Sequence, residues 1–154
     1  MRRHKQQLEK TDCEEVLKNE KRGTLALNGD NGYPYAIPIN YIYDRSGHIY
    51  FHGARSGHKI DAIKTSDKAC FTVWEQGKQR EDWSYYVRSV VVFGRLHLSE
   101  LNEESLERAR RLAYKYYPEG SEEEIENEIK CYTSSLQMYD LEIEHMTGKL
   151  VHEK

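Results

Sequence analysis

The chain has 154 residues, a net charge of −3 and 32% charged side chains, enough length to bury roughly 70% of the surface its unfolded form exposes. No run approaches the roughly 18 apolar residues of a membrane span. A basic start and an acidic block at 119–128 lack the one-sided cationic footprint of a nucleic-acid binder, so neither membrane nor nucleic acid is an expected partner.

The start MRRHKQQLEK has no apolar stretch of the kind a secretory signal needs, which predicts a cytoplasmic protein. Cys13, Cys70 and Cys131 are odd in number and far apart, which fits neither a disulfide framework nor a metal clamp. They read as reduced packing residues. Mean hydropathy is low at −0.89, but 12 Tyr and 2 Trp supply large apolar area. A single folded domain over residues 1–154 follows.

Thr11 with Glu14 three residues on reads as a capping box opening a short helix, with Val16 and Leu17 inward. Residues 22–44 then alternate apolar and polar around NGDNG, whose Asn and Gly residues suit a tight reversal, so a hairpin is predicted. Pro34 and Pro38 cannot donate ladder hydrogen bonds, which puts that arm at an edge, at a bulge or over a ligand. DRSG (44–47) is a turn and 48–54 a third strand. A helix with Ser56 as N-cap carries Ile60 and Ile63 inward.

Residues 68–75 form the next strand, and 85–99, the longest β-rich run, form the central one, bent at Gly94. Asn102 caps a helix with Ala109, Leu112, Ala113 and Tyr116 inward, and Pro118 stops it. Ser121 and Glu124 box the start of another helix, whose glutamates form a solvated face. Residues 136–145, TG and KLVH read as a last hairpin. Short antiparallel strands in a chain this small favour a closed barrel with helices outside.

The densest chemistry lies in YFHGARSGHKIDAI (50–63). A helix start offers free N–H groups and partial positive charge. Here Arg55, His58 and Lys59 surround one, beside Ser56 and Gly57, which is a phosphate site in outline; a packed strand histidine and a solvated lysine are the structural alternative. His48 and His52 lie roughly 13 Å apart on a strand, too far to share a metal ion. No nucleophile elbow or paired carboxylates stand out, so any chemistry is assigned to a bound cofactor.

GYPYAIPINYIYD, IYFHGARSGHKIDAI, ACFTVWE, YYVRSVVVFGRLHL and LEIEHMTGK together resemble the FMN-binding split-barrel family related to pyridoxamine 5′-phosphate oxidase. The resemblance spans nearly the whole chain and is nearest to the 5-nitroimidazole resistance branch. It implies a mainly β fold with α, a split β-barrel with peripheral helices, forming a homodimer with FMN at the subunit interface. It implies a phosphate turn at Arg55, Ser56, Gly57, His58 and Lys59. Flavin-ring walls fall at Pro38, Ile39 and Asn40 and at His52, Gly53 and Ala54, and Arg88 and Ser89 add polar contacts to the phosphate and ribityl chain. His52 corresponds to a histidine near the flavin and is the expected proton donor. The arginine and histidine signatures of vitamin B6 oxidation are not evident. The expected activity is FMN-dependent reduction of a small oxidised acceptor such as a 5-nitroimidazole, with a non-enzymatic flavin or haem carrier or sensor as the alternative.

Overall fold

In a computed structural model that describes residues 4–153, one antiparallel sheet curls against four α-helices. In chain order these are α1 (Lys10–Asn19), β1 (Arg22–Asn28), β2 (Pro34–Asn40), β3 (Ile42–Tyr43), β4 (His48–Ala54), α2 (His58–Thr65), β5 (Lys68–Trp74), β6 (Lys78–Gln79), β7 (Tyr85–Leu98), α3 (Glu103–Tyr116), α4 (Glu122–Tyr132) and β8 (Leu136–Glu153). The strands run β2-β1-β5-β7-β8-β4-β3, with β6 beside β7. The first three residues of the basic start lie outside the described residues.

Strand alternation sends Leu25, Leu27, Phe71, Val73, Val90 and Val92 to the concave face, where α1 covers them with Cys13, Val16 and Leu17. The Tyr41 hydroxyl, fully buried, donates to the Leu17 carbonyl at 2.8 Å and ties α1 to the β2–β3 junction. On the convex side, Ile42, Tyr50 and Met138 meet Ala109 and Leu112 of α3 in a second, smaller cluster. Cations fasten α3 there: Arg108 lies 4.1 Å from the Tyr50 ring and Lys115 4.3 Å from the Tyr41 ring.

Several expectations need correction. The sheet does not close into a barrel: β2 and β3 end the hydrogen-bonded order among the described residues, leaving a split. The final segment is one 18-residue strand, not a hairpin, since Thr147 and Gly148 pair with Val91 and Val90. Gly148 serves close packing, because a Cβ there would sit 2.3 Å from the Cys13 sulfur. The Thr11–Glu14 box does not form. Leu8 N–H bonds the Gly148 carbonyl, and the helix starts earlier, behind Glu9. Cys131 is exposed and does not pack.

Other expectations hold. Asn102 and Ser121 each complete a capping box, with Ser105 and Glu124. The two prolines lie on β2, an edge strand. Gly94 marks a break in the β7–β8 register after Phe93, and a Cβ on it would stand 2.0 Å from the Glu142 backbone carbonyl. That atom belongs to the backbone and cannot swing aside. Gly94→Ala should therefore cost about 3 kcal/mol or more of stability, read as a lower urea midpoint; a loss below about 1 kcal/mol would show that the two backbones can part there.

Candidate functional site

The β4–α2 turn and the cavity beside it form the candidate site. Gly57 caps α2 with φ 115°, a left-handed conformation natural to glycine, and among the described residues no side chain bonds the first N–H groups of that helix. Ser56, expected as the cap, sits one residue too early. The helix starts behind Gly57, whose left-handed backbone makes the turn from β4 into α2.

Lys59 is the notable cation. Its half-buried ammonium lies 4.6 Å from the Tyr139 ring centre and 5.4 Å from that of Phe51, with no carboxylate within salt-bridge reach among the described residues. Burial pushes its pKa down. Gly53 makes the room: a Cβ there would come within 2.7 Å of the Lys59 Nζ. The two aromatic rings stack 5.0 Å apart, and the Tyr139 hydroxyl donates to the Ala54 carbonyl, so this wall is fixed.

The other expected cations are already engaged. Arg55 donates through Nε to the Leu136 carbonyl at 3.0 Å and through Nη2 to the Thr133 carbonyl at 3.2 Å, holding the end of α4 to the start of β8. His58 lies 3.4 Å from Asp30 and edge-on to Tyr35. Arg88 forks onto Glu75 and also binds Glu15, with closest contacts of 2.6 Å to each. Ser89 pairs with Trp74, whereas α2 leads into Lys68; those ends of β5 are roughly 20 Å apart. Within one chain, Arg88 and Ser89 do not join the turn.

His52, Gly53, Ala54 and Asn40 do meet, at the floor of a cavity of about 510 Å³. Its opposite wall is an unfilled part of the second apolar cluster, where Ala109 and Ala113 of α3 leave space between Leu112 and Tyr116. Tyr116 is rigid, its hydroxyl accepting from the Tyr41 N–H at 2.8 Å and donating to the Lys21 carbonyl. Tyr117 and Tyr132, both largely exposed, stand at the rim with Glu128. Pro38 faces outward and Ile39 packs in the main core, so of that triplet Asn40 alone lines the cavity.

Solvent reaches the His52 ring through the cavity while protein crowds its other sides. That crowding, and secondarily the charge of Lys59, lowers its pKa below the ordinary 6.5. His52 is therefore mainly neutral at pH 7, a state from which imidazole can accept a proton.

The α3–α4 wall was not read from the sequence as part of a site. The available signal was the pair Ala109 and Ala113, small residues four apart on the inward face of an otherwise bulky helix.

A curled antiparallel sheet open along one side, with a cavity at the opening, defines a split barrel. Residues 9–150 match the pyridoxamine 5′-phosphate oxidase family, and the chain belongs to it. A candidate 5-nitroimidazole antibiotic resistance protein from Bacteroides thetaiotaomicron has the same fold, with a TM-score of 0.76 at 19% identity over 96% of this chain and 87% of that one. An FAD-binding protein from Mesorhizobium loti gives 0.72 at 22% identity, covering 94% and 96%. An FAD and haem binding protein from Mycobacterium smegmatis gives 0.70 at 17%, covering 94% and 73%. Among curated proteins none matches the sequence. No helix among the described residues is long and apolar enough to cross a membrane.

The proximity of Lys59 to His52 has a direct readout. Lys59→Met removes one cause of the depressed imidazole pKa, so NMR titration should find His52 titrating at higher pH than in the wild type. An unchanged or lower value would contradict the pairing.

Proposed function

We propose that this chain is an FMN-dependent oxidoreductase, acting as a homodimer with the cofactor at the subunit interface, that reduces a small oxidised acceptor such as a nitro-heterocycle. The observation that carries the reading is the unpaired, half-buried ammonium of Lys59 beside uncapped helix N–H groups, one wall away from the cavity that His52 lines. These residues fit a flat ring joined to a phosphate: the cavity is walled by aromatic and aliphatic side chains, and the anion-ready turn adjoins it. Flavin- and haem-binding neighbours of the same fold agree with a cofactor there.

Lys59, the α2 N–H groups and Gly57 would hold the phosphate, and Asn40, Gly53 and Ala54 would lie along the ring. Bound FMN would supply two-electron transfer to a planar acceptor seated against it. His52 would deliver a proton from its imidazolium form, which grows as pH falls through its lowered pKa. Proton delivery by His52 would thus make turnover rise below about pH 6.5. An anion on Lys59 cancels the charge that depresses the His52 pKa, so loading the phosphate end makes the imidazole more basic.

The convex face supports the dimer. Rows Pro38–Thr24–Thr72–Val91 and Ala36–Ala26–Cys70–Phe93 cross four strands without a charged side chain, and Phe93 is 50% exposed. Such a face suits a partner better than water. Asn40 follows Pro38 on the same side of β2, so this surface runs to the edge of the cavity.

The purified protein should be yellow, with the absorption spectrum of FMN and close to one flavin per chain; a haem spectrum, or no cofactor after reconstitution, would overturn the assignment. Lys59→Ala should weaken FMN binding roughly ten- to a hundredfold, from about 1.5–3 kcal/mol of charge-assisted bonding. Anaerobic oxidation of a reduced nicotinamide should depend on added nitroimidazole, and binding without turnover would instead mark a carrier. Val91→Arg should yield a monomer with weakened flavin binding, read by light scattering and absorbance. A monomeric wild type, or a monomeric variant that keeps full affinity, would sink the interface site.

A further inference from the structure

The charges around the cavity discriminate among substrates more sharply than its shape does. Among the described residues no lysine or arginine lines it, and Glu128 contributes its one carboxylate. Three tyrosines, Tyr116, Tyr117 and Tyr132, present aromatic rings to the same space. The nearby cations are turned elsewhere: Arg55 onto two backbone carbonyls, and Lys59 toward Phe51 and Tyr139 behind Gly53.

We propose that this cavity sorts planar heteroaromatic substrates by charge, accepting neutral and cationic rings and rejecting those bearing a carboxylate or phosphate, with Glu128 as the deciding residue. The inference rests on the reading that this cavity is where the substrate meets the cofactor. An aromatic wall attracts a cationic ring through its negative faces, and a carboxylate at the rim adds to that attraction. A phosphorylated substrate would bring two negative charges to a lining whose one permanent charge among the described residues is the Glu128 carboxylate. The family to which the chain belongs is named for oxidation of such a phosphate ester. The cavity of this member is built for a different substrate charge.

Glu128 lies on α4, one turn before Tyr132 and next to Ile129. Ile129 packs against the second apolar cluster, so Glu128 is carried on an anchored helix. The helix is also tied to α3 through the Arg110–Glu126 ion pair. The selecting group therefore has a firm base although its own side chain is exposed.

The test is a set of near-isosteric probes, 1-methylnicotinamide as the cation, nicotinamide as the neutral ring and nicotinate as the anion, with pyridoxine 5′-phosphate added. Binding is measured by calorimetry on the whole 154-residue chain, both stripped of flavin and loaded with FMN. Wild type should prefer the cation to the anion by about tenfold, the scale of one unit charge acting across several Å of partly wet space. Glu128→Gln should bring the two within about twofold, and Glu128→Lys should reverse their order. Equal affinities in the wild type, or pyridoxine 5′-phosphate binding the FMN-loaded protein tighter than nicotinamide does, would overturn the proposal.

Ala113→Trp fills the cavity from α3 and should abolish binding of every probe. Binding that survives it lies elsewhere and also defeats the proposal. Flavin uptake, followed separately by absorbance, keeps the two readings apart. Protein that takes no flavin yet discriminates among the probes sinks the oxidoreductase reading and leaves charge selection standing. Protein that loads flavin without discriminating does the reverse.

Discussion

The pairing of β7 with β8 organises everything else in the molecule. β7 carries β5 on its other side and β8 carries β4, so the two halves of the curled sheet hang from this one ladder. Its bend after Phe93, where Gly94 admits the Glu142 carbonyl, sets how far β4 curls back toward β2. A flat ladder would leave those strands far apart and the opening without facing walls. The 14-residue length of β7 matters equally: its residues 89–95 hold β5 on one side, while β8 pairs along its full length on the other.

The same ladder dictates where the helices go. The chain leaves β7 at Leu98 and re-enters at Leu136, and α3 and α4 fill the interval on the convex side of β4. That face of β4 is covered only partly, because Ala109 and Ala113 are too small to reach His52 and Ala54. An open cavity with largely apolar walls leaves that surface against water instead of against protein. Tyr116, bonded at its hydroxyl to the Tyr41 N–H and the Lys21 carbonyl, holds one wall of that space in place.

Much of this was legible from residue order. Alternation located the strands, prolines at 34 and 38 marked an edge, and Gly94 marked the bend. What failed did so for identifiable reasons. Thr147 and Gly148 look like a turn, but Gly148 is small because α1 packs against it through Cys13. Thr11 and Glu14 have the spacing of a capping box, yet a tertiary bond from Leu8 to Gly148 starts the helix earlier. At the candidate site, positive charge near the turn did not reveal which cations were committed. Arg55 and Arg88 are bonded to carbonyls and carboxylates, and such partners come from segments distant in sequence. The cavity's second wall was invisible for the same reason, since helical periodicity identifies a buried face without naming the strand it meets.

Lys59 then stands apart on energetic grounds. An ammonium drawn out of water without a carboxylate is unfavourable, and two aromatic faces compensate it only in part. A methionine would fill the same space against Phe51 and Tyr139 without that penalty, so stability alone does not account for the charge. Gly53 compounds the point, because it gives up a side chain at a position facing the core in order to admit the ammonium. Two residues that each weaken the fold are thus placed against one another, beside a histidine whose basicity responds to their charge. Such a trio is consistent with a site that is completed by an anion. An anion bound there would relieve the penalty on Lys59 and lift the restraint on His52 together, so that the turn and the cavity would respond to a single event.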